Sequence, residues 1–246
     1  MARRDGFAGS SNRPGIAGWR LYSEGGIVVN GIDVSDFQAG INLGTVRESG
    51  YSWVMIKATE GTGYVSPSFA AQWQGAETAG LLRGGYHYYI FDQDPVAQAN
   101  AFLATCPATS GALPAAVDVE TGDQGDNDSD TDTNVANLSK FLQTVEAKTG
   151  VRCFIYLGYD GWTTLLGSTT GFSGHPLWVP SYLTGVTAPP PTSDTPPVLQ
   201  PPPPQITAWS TWTAWQYSES GSVAGQTVDL NVFNGDLTAL RSMLQK

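Results

Sequence analysis

From Ile27 onward, short β-branched or aromatic runs alternate with stretches of helical spacing. That alternation is the βα signature of a parallel sheet or barrel. Strands are expected at Gly31–Val34, Trp53–Lys57, Gly84–Ile90, Ala115–Glu120, Cys153–Leu157, Leu177–Ser181, Thr213–Tyr217 and Val228–Asn231. Helices are expected between them. Ser66–Pro67 predicts the start of one, with Ser as N-cap and Pro at the first helical position, running to about Gly80. Asp94–Pro95 predicts another by the same logic, ending near Thr105. Over Asn134–Lys148, apolar Val135, Leu138, Leu142 and Val145 recur at helical spacing, and Gly150 follows as a stop. A last helix is expected from about Asp236 to Leu244. Eight strands with helices between them predict an α/β fold, a (β/α) barrel that is complete or irregular. A chain of 246 residues is a routine length for one such barrel.

Two segments stand outside this rhythm. Residues 1–28 carry Gly, Ser and Arg without a clear period and read as an N-terminal arm or tail. Residues 187–206 are rich in proline, a composition typical of stiff interdomain linkers. Yet only about 40 residues follow, holding two strands and a helix, and a unit of that size rarely folds without disulfides or metal. Those strands are better used to close the barrel. Residues 29–246 are therefore expected to be one domain with an exposed Pro-rich loop.

The candidate chemistry lies at strand ends. Positions i and i+2 of a strand face the same side. In Ala115-Ala116-Val117-Asp118-Val119-Glu120, the two carboxylates project together, with Val117 and Val119 on the other face. Barrel enzymes place catalytic groups at such carboxyl ends. Two close carboxylates cannot both ionise freely, so one holds a proton and the other a charge, as glycosidic cleavage requires. A merely solvated acidic strand end is the alternative. Asp33 ends the first strand and Asp229 lies on the last. First and last strands adjoin in a closed barrel, so these two should meet at the same rim. Four carboxylates on one rim are costly unless they bind something or share protons.

Charge and composition narrow the partners. A net charge of −10 argues against nucleic acid and against an anionic membrane surface. No run approaches the roughly 20 apolar residues of a membrane span. Arg3 and Arg4 precede polar, Gly-rich residues rather than an apolar core, so no recognisable Sec signal is expected. Cys106 and Cys153 are expected to be buried free thiols, a single disulfide being the lesser alternative. Eight Trp and ten Tyr offer flat faces suited to sugar rings, although most should fill the core.

Together these segments resemble the family 25 glycoside hydrolases, the Chalaropsis-type muramidase lysozymes of bacteria, fungi and phages. The resemblance runs from about Gly31 to the C-terminus. It is carried by Asp33-Val34-Ser35-Asp36-Phe37-Gln38, Ile56-Lys57-Ala58-Thr59-Glu60-Gly61-Thr62-Gly63-Tyr64, Arg83-Gly84-Gly85-Tyr86-His87-Tyr88, Val117-Asp118-Val119-Glu120, Leu177-Trp178-Val179, Trp215-Gln216-Tyr217-Ser218 and Val228-Asp229-Leu230-Asn231-Val232-Phe233. Phe37 stands where the family often has Trp, and Ala39 and Ser66 also depart from its usual residues. None of these departures removes a carboxylate. The resemblance implies an irregular, flattened barrel with a long groove. It also implies hydrolysis, with retention, of the β-1,4 bond between N-acetylmuramic acid and N-acetylglucosamine in peptidoglycan. Glu120 would match the general acid/base. Asp118 would match the residue that orients the substrate's 2-acetamido group as the internal nucleophile, an exception to the two-carboxylate scheme. Asp33 and Asp229 would tune the acid and hold hydroxyls, and Tyr86 would line the reacting subsite. Tyr88, Trp178, Tyr156 and Gln216 join these as candidate substrate-binding residues. No metal or cofactor is implied, and the expected partner of a monomeric enzyme is the glycan strand of the bacterial wall, outside the cytoplasmic membrane. A phage lysis protein or a secreted enzyme fits that setting.

Other features carry two readings each. Glu60 lines the groove or anchors a turn with Lys57. Tyr182 stacks on sugar or packs at the rim, and Tyr156 faces inward on its strand. His87 and His175 are ordinary hydrogen-bonding residues, since two isolated histidines make no metal site. The acidic run 123–132 loosely resembles a calcium loop but lacks the Gly and distal Glu of an EF-hand. A solvated loop that ends in a helix N-cap accounts for it better. Two other functions compete: a non-catalytic glycan-binding module on this scaffold, and a chitinase-like hydrolase. The second lacks the further aspartates ahead of D-x-E, which Leu113-Pro114-Ala115-Ala116 replaces.

Overall fold

The computed structural model describes residues 28–122, 130–183 and 206–246. The N-terminal arm up to Ile27, the Pro-rich run up to Gln205 and the acidic run up to Ser129 lie outside the described residues. All eight expected strands are present: β1 (Val28–Val34), β2 (Trp53–Glu60), β4 (Leu82–Tyr88), β5 (Ala116–Val119), β6 (Phe154–Leu157), β7 (Leu177–Pro180), β8 (Ala214–Val223) and β9 (Gln226–Asn234). A two-residue strand, β3 (Tyr64–Val65), folds back on the end of β2. β1 pairs with β2 in parallel on one side and with β9 antiparallel on the other, and this closes the barrel.

The barrel is mixed, where the alternating pattern predicts parallel strands. Neighbours from β4 to β8 run parallel, whereas β8 and β9 form a hairpin. Its two-residue turn is Ala224-Gly225, both left-handed at φ 51° and 78°. Positive φ at both positions matches the type I′ geometry that suits strand twist. Ala is a poor residue for that conformation, so the usual Asn-Gly or Asp-Gly signal is missing from the sequence.

Strand alternation sorts the apolar residues into two layers. Val29, Trp53, Met55, Ala116, Phe154, Ala214 and Phe233 fill the barrel interior. Gly31 makes that filling possible, because a Cβ there would lie 2.1 Å from the Trp53 ring. Val34, Val54, Ile56, Val117, Val119 and Ile155 point outward beneath the helices. Those helices are α1 (Leu43–Glu48), α2 (Phe69–Ala79), α3 (Pro95–Thr105) and α4 (Thr131–Thr149). The last helix, α5 (Leu237–Ser242), contributes Leu240 to the interior cluster, and beyond it the Gln245 amide donates to the Leu113 carbonyl at 2.8 Å. The end of the barrel opposite the carboxylates is thereby plugged.

Helix boundaries follow the caps. Asp94 accepts from the Ala97 N–H at 2.7 Å, with Pro95 at the first helical position, as predicted. Asp94→Ala should therefore cost about 1 kcal/mol, read as a lowered urea midpoint at unchanged slope. A loss of under 0.3 kcal/mol would show that the cap is not used. Asp130 caps α4 in the same way, and left-handed Gly150 ends it. The Ser66–Pro67 start is corrected: α2 begins at Phe69 with Ser68 before it. The Ser66 N–H is spent on the Ala58 carbonyl in the β2–β3 hairpin, and the chain turns into the helix only afterwards. Cys106 and Cys153 are both buried and free.

Candidate active site

The barrel's register gathers the acidic residues. Asp33 and Asp229 are directly opposite across β1 and β9. Gln216 and Asn231 are opposite across β8 and β9, and Asp118 sits between Tyr88 and Tyr156 on its neighbours. Asp33, Tyr86, Asp118, Glu120, Tyr156, Trp178, Gln216 and Asp229 line one cavity of about 160 Å³, joined by Tyr182 and Glu219. Eight of the ten site residues read from the sequence therefore meet.

Asp33 is held by two amides. Gln216 Nε2 donates to its Oδ2 at 2.9 Å and Asn231 Nδ2 donates to the same oxygen at 2.7 Å. The Gln216 carbonyl oxygen accepts from the Tyr156 hydroxyl at 2.7 Å and from the Tyr182 hydroxyl at 2.9 Å. Asn231 Oδ1 accepts from Trp178 Nε1 at 2.8 Å. One chain of hydrogen bonds thus fixes two tyrosines, a tryptophan and both amides around one carboxylate. Burial raises the Asp33 carboxyl, opposed by those amide bonds. Asp229, hydrogen-bonded to Asp33, is pushed up to about 9 by burial and by the Asp33 charge. The proton of this pair therefore resides on Asp229 at neutral pH, and Asp33 keeps the charge its amides prefer.

Asp118 and Glu120 form the second pair. Burial raises the Asp118 carboxyl well above the usual range, with further contributions from the charges of Glu120 and Asp33 and a hydrogen bond to Glu120. Two hydrogen-bonded carboxyls at such close range hold a proton between them. Tyr86 is buried beside them, and its hydroxyl is raised first by burial and then by the charges of Asp33, Asp118, Asp229 and Glu120. The aromatic wall is continuous: Tyr156 meets Trp178 edge-on at 4.9 Å, and Tyr86 meets it at 6.3 Å.

Glu60 and Tyr88 do not line this cavity. The register of β2 shifts between Lys57 and Thr59, so Ala58 is an extra residue. This bulge turns Lys57 and Glu60 to the same side, where Nζ meets Oε2 at 2.7 Å. The Lys57 ammonium also lies over the rings of Tyr88 and Tyr64, at 5.0 and 5.6 Å. The Tyr88 hydroxyl donates to the Gly122 carbonyl at 2.6 Å. Glu60 is thus paired with Lys57 rather than with the cavity's carboxylates. Lys57 acts on the site from this position, since its charge lowers Asp118.

His87 faces outward beneath the site, as a core residue. Gln98 uses its carbonyl oxygen on the Ile90 N–H and its amide nitrogen on the Ile90 carbonyl, so the His87 Nε2 must donate to that carbonyl oxygen at 3.1 Å. Nδ1 then accepts from the Thr59 hydroxyl at 2.7 Å. Burial lowers this histidine to about 4, so it is neutral. Among the described residues no cluster of His, Cys, Asp or Glu is arranged to hold a metal ion.

Sequence reasoning left Asn231 without a role and missed Glu219. Asn231 is fully buried at a strand position facing Asp33, and a buried amide beside a carboxylate is the signal available for it. Glu219 follows a register shift in β8, which strand alternation cannot anticipate.

The model of glycosyl hydrolases family 25 matches residues 32–226. The chain belongs to glycosyl hydrolase family 25. It is 34% identical to lysozyme M1 of Streptomyces globisporus over 224 residues, covering 87% of this chain and 71% of that one. The lysozyme of Streptomyces coelicolor superposes with a TM-score of 0.76 at 34% identity, covering 88% of this chain and 96% of that one. A family 25 lysozyme from Aspergillus fumigatus superposes at 0.75 with 30% identity, covering 89% and 100%. The family 25 fold, a mixed eight-stranded barrel with interspersed helices, is thus shared. No described helix is long and apolar enough to cross a membrane.

Proposed function

We propose that the protein is a lysozyme that hydrolyses the β-1,4 bond between N-acetylmuramic acid and N-acetylglucosamine in peptidoglycan, with retention of configuration. One observation carries the reading: Asp118 on β5 and Glu120 just past its end share a hydrogen bond inside a cavity walled by Tyr86, Tyr156 and Trp178. Flat aromatic walls suit sugar rings, and a protonated carboxyl beside a carboxylate suits acid-assisted glycoside cleavage.

In this mechanism Glu120 gives its proton to the bridging oxygen as the bond to the anomeric carbon breaks. The substrate's 2-acetamido oxygen supplies the electron pair to that carbon. Asp118 orients the acetamide and balances the positive charge that develops on it. Water, deprotonated by Glu120, then opens the cyclic intermediate from the face the leaving group vacated. Asp33 and Asp229, with Gln216 and Asn231 behind them, hold substrate hydroxyls and set the local charge. Residues 29–246 act as one hydrolase domain, working on the wall outside the cytoplasmic membrane as a phage-encoded or secreted lysin.

Mass spectrometry of digested peptidoglycan tests the reading. Each new reducing end is expected on N-acetylmuramic acid, with falling turbidity of the wall suspension. New ends on N-acetylglucosamine would refute the bond assignment, and no new ends would leave a binding module. Cleavage of chitin oligomers in preference to wall fragments would favour the chitinase-like alternative.

A further inference from the structure

A second hollow adjoins the acidic cavity. Its volume is about 460 Å³, within the range of ligand pockets. Glu120, Tyr156 and Tyr182 line both spaces, so the carboxyl of Glu120 stands on the boundary between them. The far side of the hollow is built by the turn after β6. There Tyr159 and Asp160 lead into a π-helical turn, Gly161–Leu165, a rare irregularity that frequently marks a working surface. Gly161 lets this turn approach β5, since a Cβ would lie 3.1 Å from the Val119 carbonyl oxygen.

Two tyrosines flank the hollow with large faces open to solvent. Tyr159 is 48% exposed and Tyr182 49%, whereas Tyr86 and Tyr156 of the first cavity are buried. The charged side chains of this lining are Glu120 and Asp160, both acidic. The hollow therefore offers apolar faces and peptide groups to a neutral ring and repels a carboxylate.

We infer that this hollow holds the sugar on the leaving side of the cleaved bond, a neutral acetamido sugar stacked on Tyr159. This rests on the hydrolase reading. A proton donor must face the oxygen that bridges two rings. The ring whose anomeric carbon reacts lies with Asp33, Asp118 and Asp229 in the first cavity. The ring that departs must then lie beyond Glu120, and this is the space found there. Tyr159 lines the hollow and not the first cavity, so its contribution is to binding the departing ring.

Two substrates separate this role from a structural one. With long glycan chains, Tyr159→Ala should lower kcat/KM about tenfold, the usual size of a lost aromatic face, while Tyr159→Phe keeps the face and the rate. With a β-glycosyl fluoride ending in N-acetylmuramic acid, nothing enters the hollow, and all three proteins should agree within twofold. Equal losses on both substrates, or no loss on long chains, would overturn the assignment. Affinity of Glu120→Gln protein for a chitin tetrasaccharide, read by tryptophan fluorescence, is a check that needs no turnover. Adding Tyr159→Ala should weaken that binding about tenfold, and unchanged binding would also overturn it. If the wild-type protein cleaves no wall yet shows Tyr159-dependent binding, the hydrolase reading fails while the hollow stands as a sugar site.

Discussion

Glu120→Gln is expected to clear a wall suspension about 10²–10⁴-fold more slowly than the wild-type protein, the usual worth of a positioned general acid. The amide keeps the size and shape of the carboxyl but has no proton to release at neutral pH. The bridging oxygen would then have to leave as an alkoxide. The fold should be unaffected or slightly strengthened, because one of two buried carboxyls competing for a single proton is replaced by a neutral amide of the same shape. A thermal midpoint at or above the wild-type value is part of the expected result. The loss should also depend on the leaving group. A glycoside carrying dinitrophenolate needs little protonation and should recover much of the rate with Glu120→Gln. It should not do so with Asp118→Asn, where the partner of the acetamido group is removed. Near-wild-type lysis by Glu120→Gln would exclude Glu120 as the acid. Equal rescue of both variants would exclude the division of labour between them.

The architecture was legible because barrel strands announce themselves by alternation and their ends by polarity. Asp118 and Glu120 share a face for reasons of geometry alone, and closure of the barrel brings Asp33 against Asp229 whatever the intervening loops do. Illegible features were those in which backbone geometry departs from period two. The extra residue Ala58 reverses the facing of everything after it on β2, bringing Glu60 to the Lys57 side. The shifts after Gln216 deliver Glu219 to the cavity by the same means. The Ala224-Gly225 turn makes a hairpin without the residues that normally signal one. The π-helical turn behind Tyr159 has no sequence signature, since its residues would serve equally in an ordinary helix. Local propensity thus located the elements, while bulges and turns, whose energies depend on tertiary partners, decided which flanking side chains face the groove.

Asp229→Asn should make the protein more stable above pH 6.5, and the gain should shrink toward zero as the pH falls to 4. Two buried groups give opposite slopes. The carboxyl of Asp229 lies at about 9 in the folded protein, above its unfolded value near 3.8. Its contribution is therefore fully present below pH 3.8 and is lost as pH rises toward 9, because the unfolded chain releases the proton first. His87 lies at about 4, below its unfolded value near 6.5. Its contribution is present above pH 6.5 and is lost as pH falls toward 4, worth about 3 kcal/mol across that window. Between pH 4 and 6.5 the histidine slope opposes that of Asp229 and that of the raised Asp118 carboxyl. Above 6.5 the carboxyl slopes act without it, and stability declines. An asparagine at 229 keeps an N–H donor for Asp33, as the protonated acid does, but has no proton to lose. With Asp229 partly exposed, its gain at pH 7 is on the order of 2–3 kcal/mol after discounting for solvent. The raised Asp118 carboxyl still opposes the histidine slope in the variant, so the checkable quantity is the difference between the two proteins, which should grow steadily from pH 4 upward. Urea midpoints measured from pH 4 to 9 check this directly. A constant difference between the two proteins across that range would mean that Asp229 is already ionised in the folded state, and that the Asp33–Asp229 pair does not store a proton.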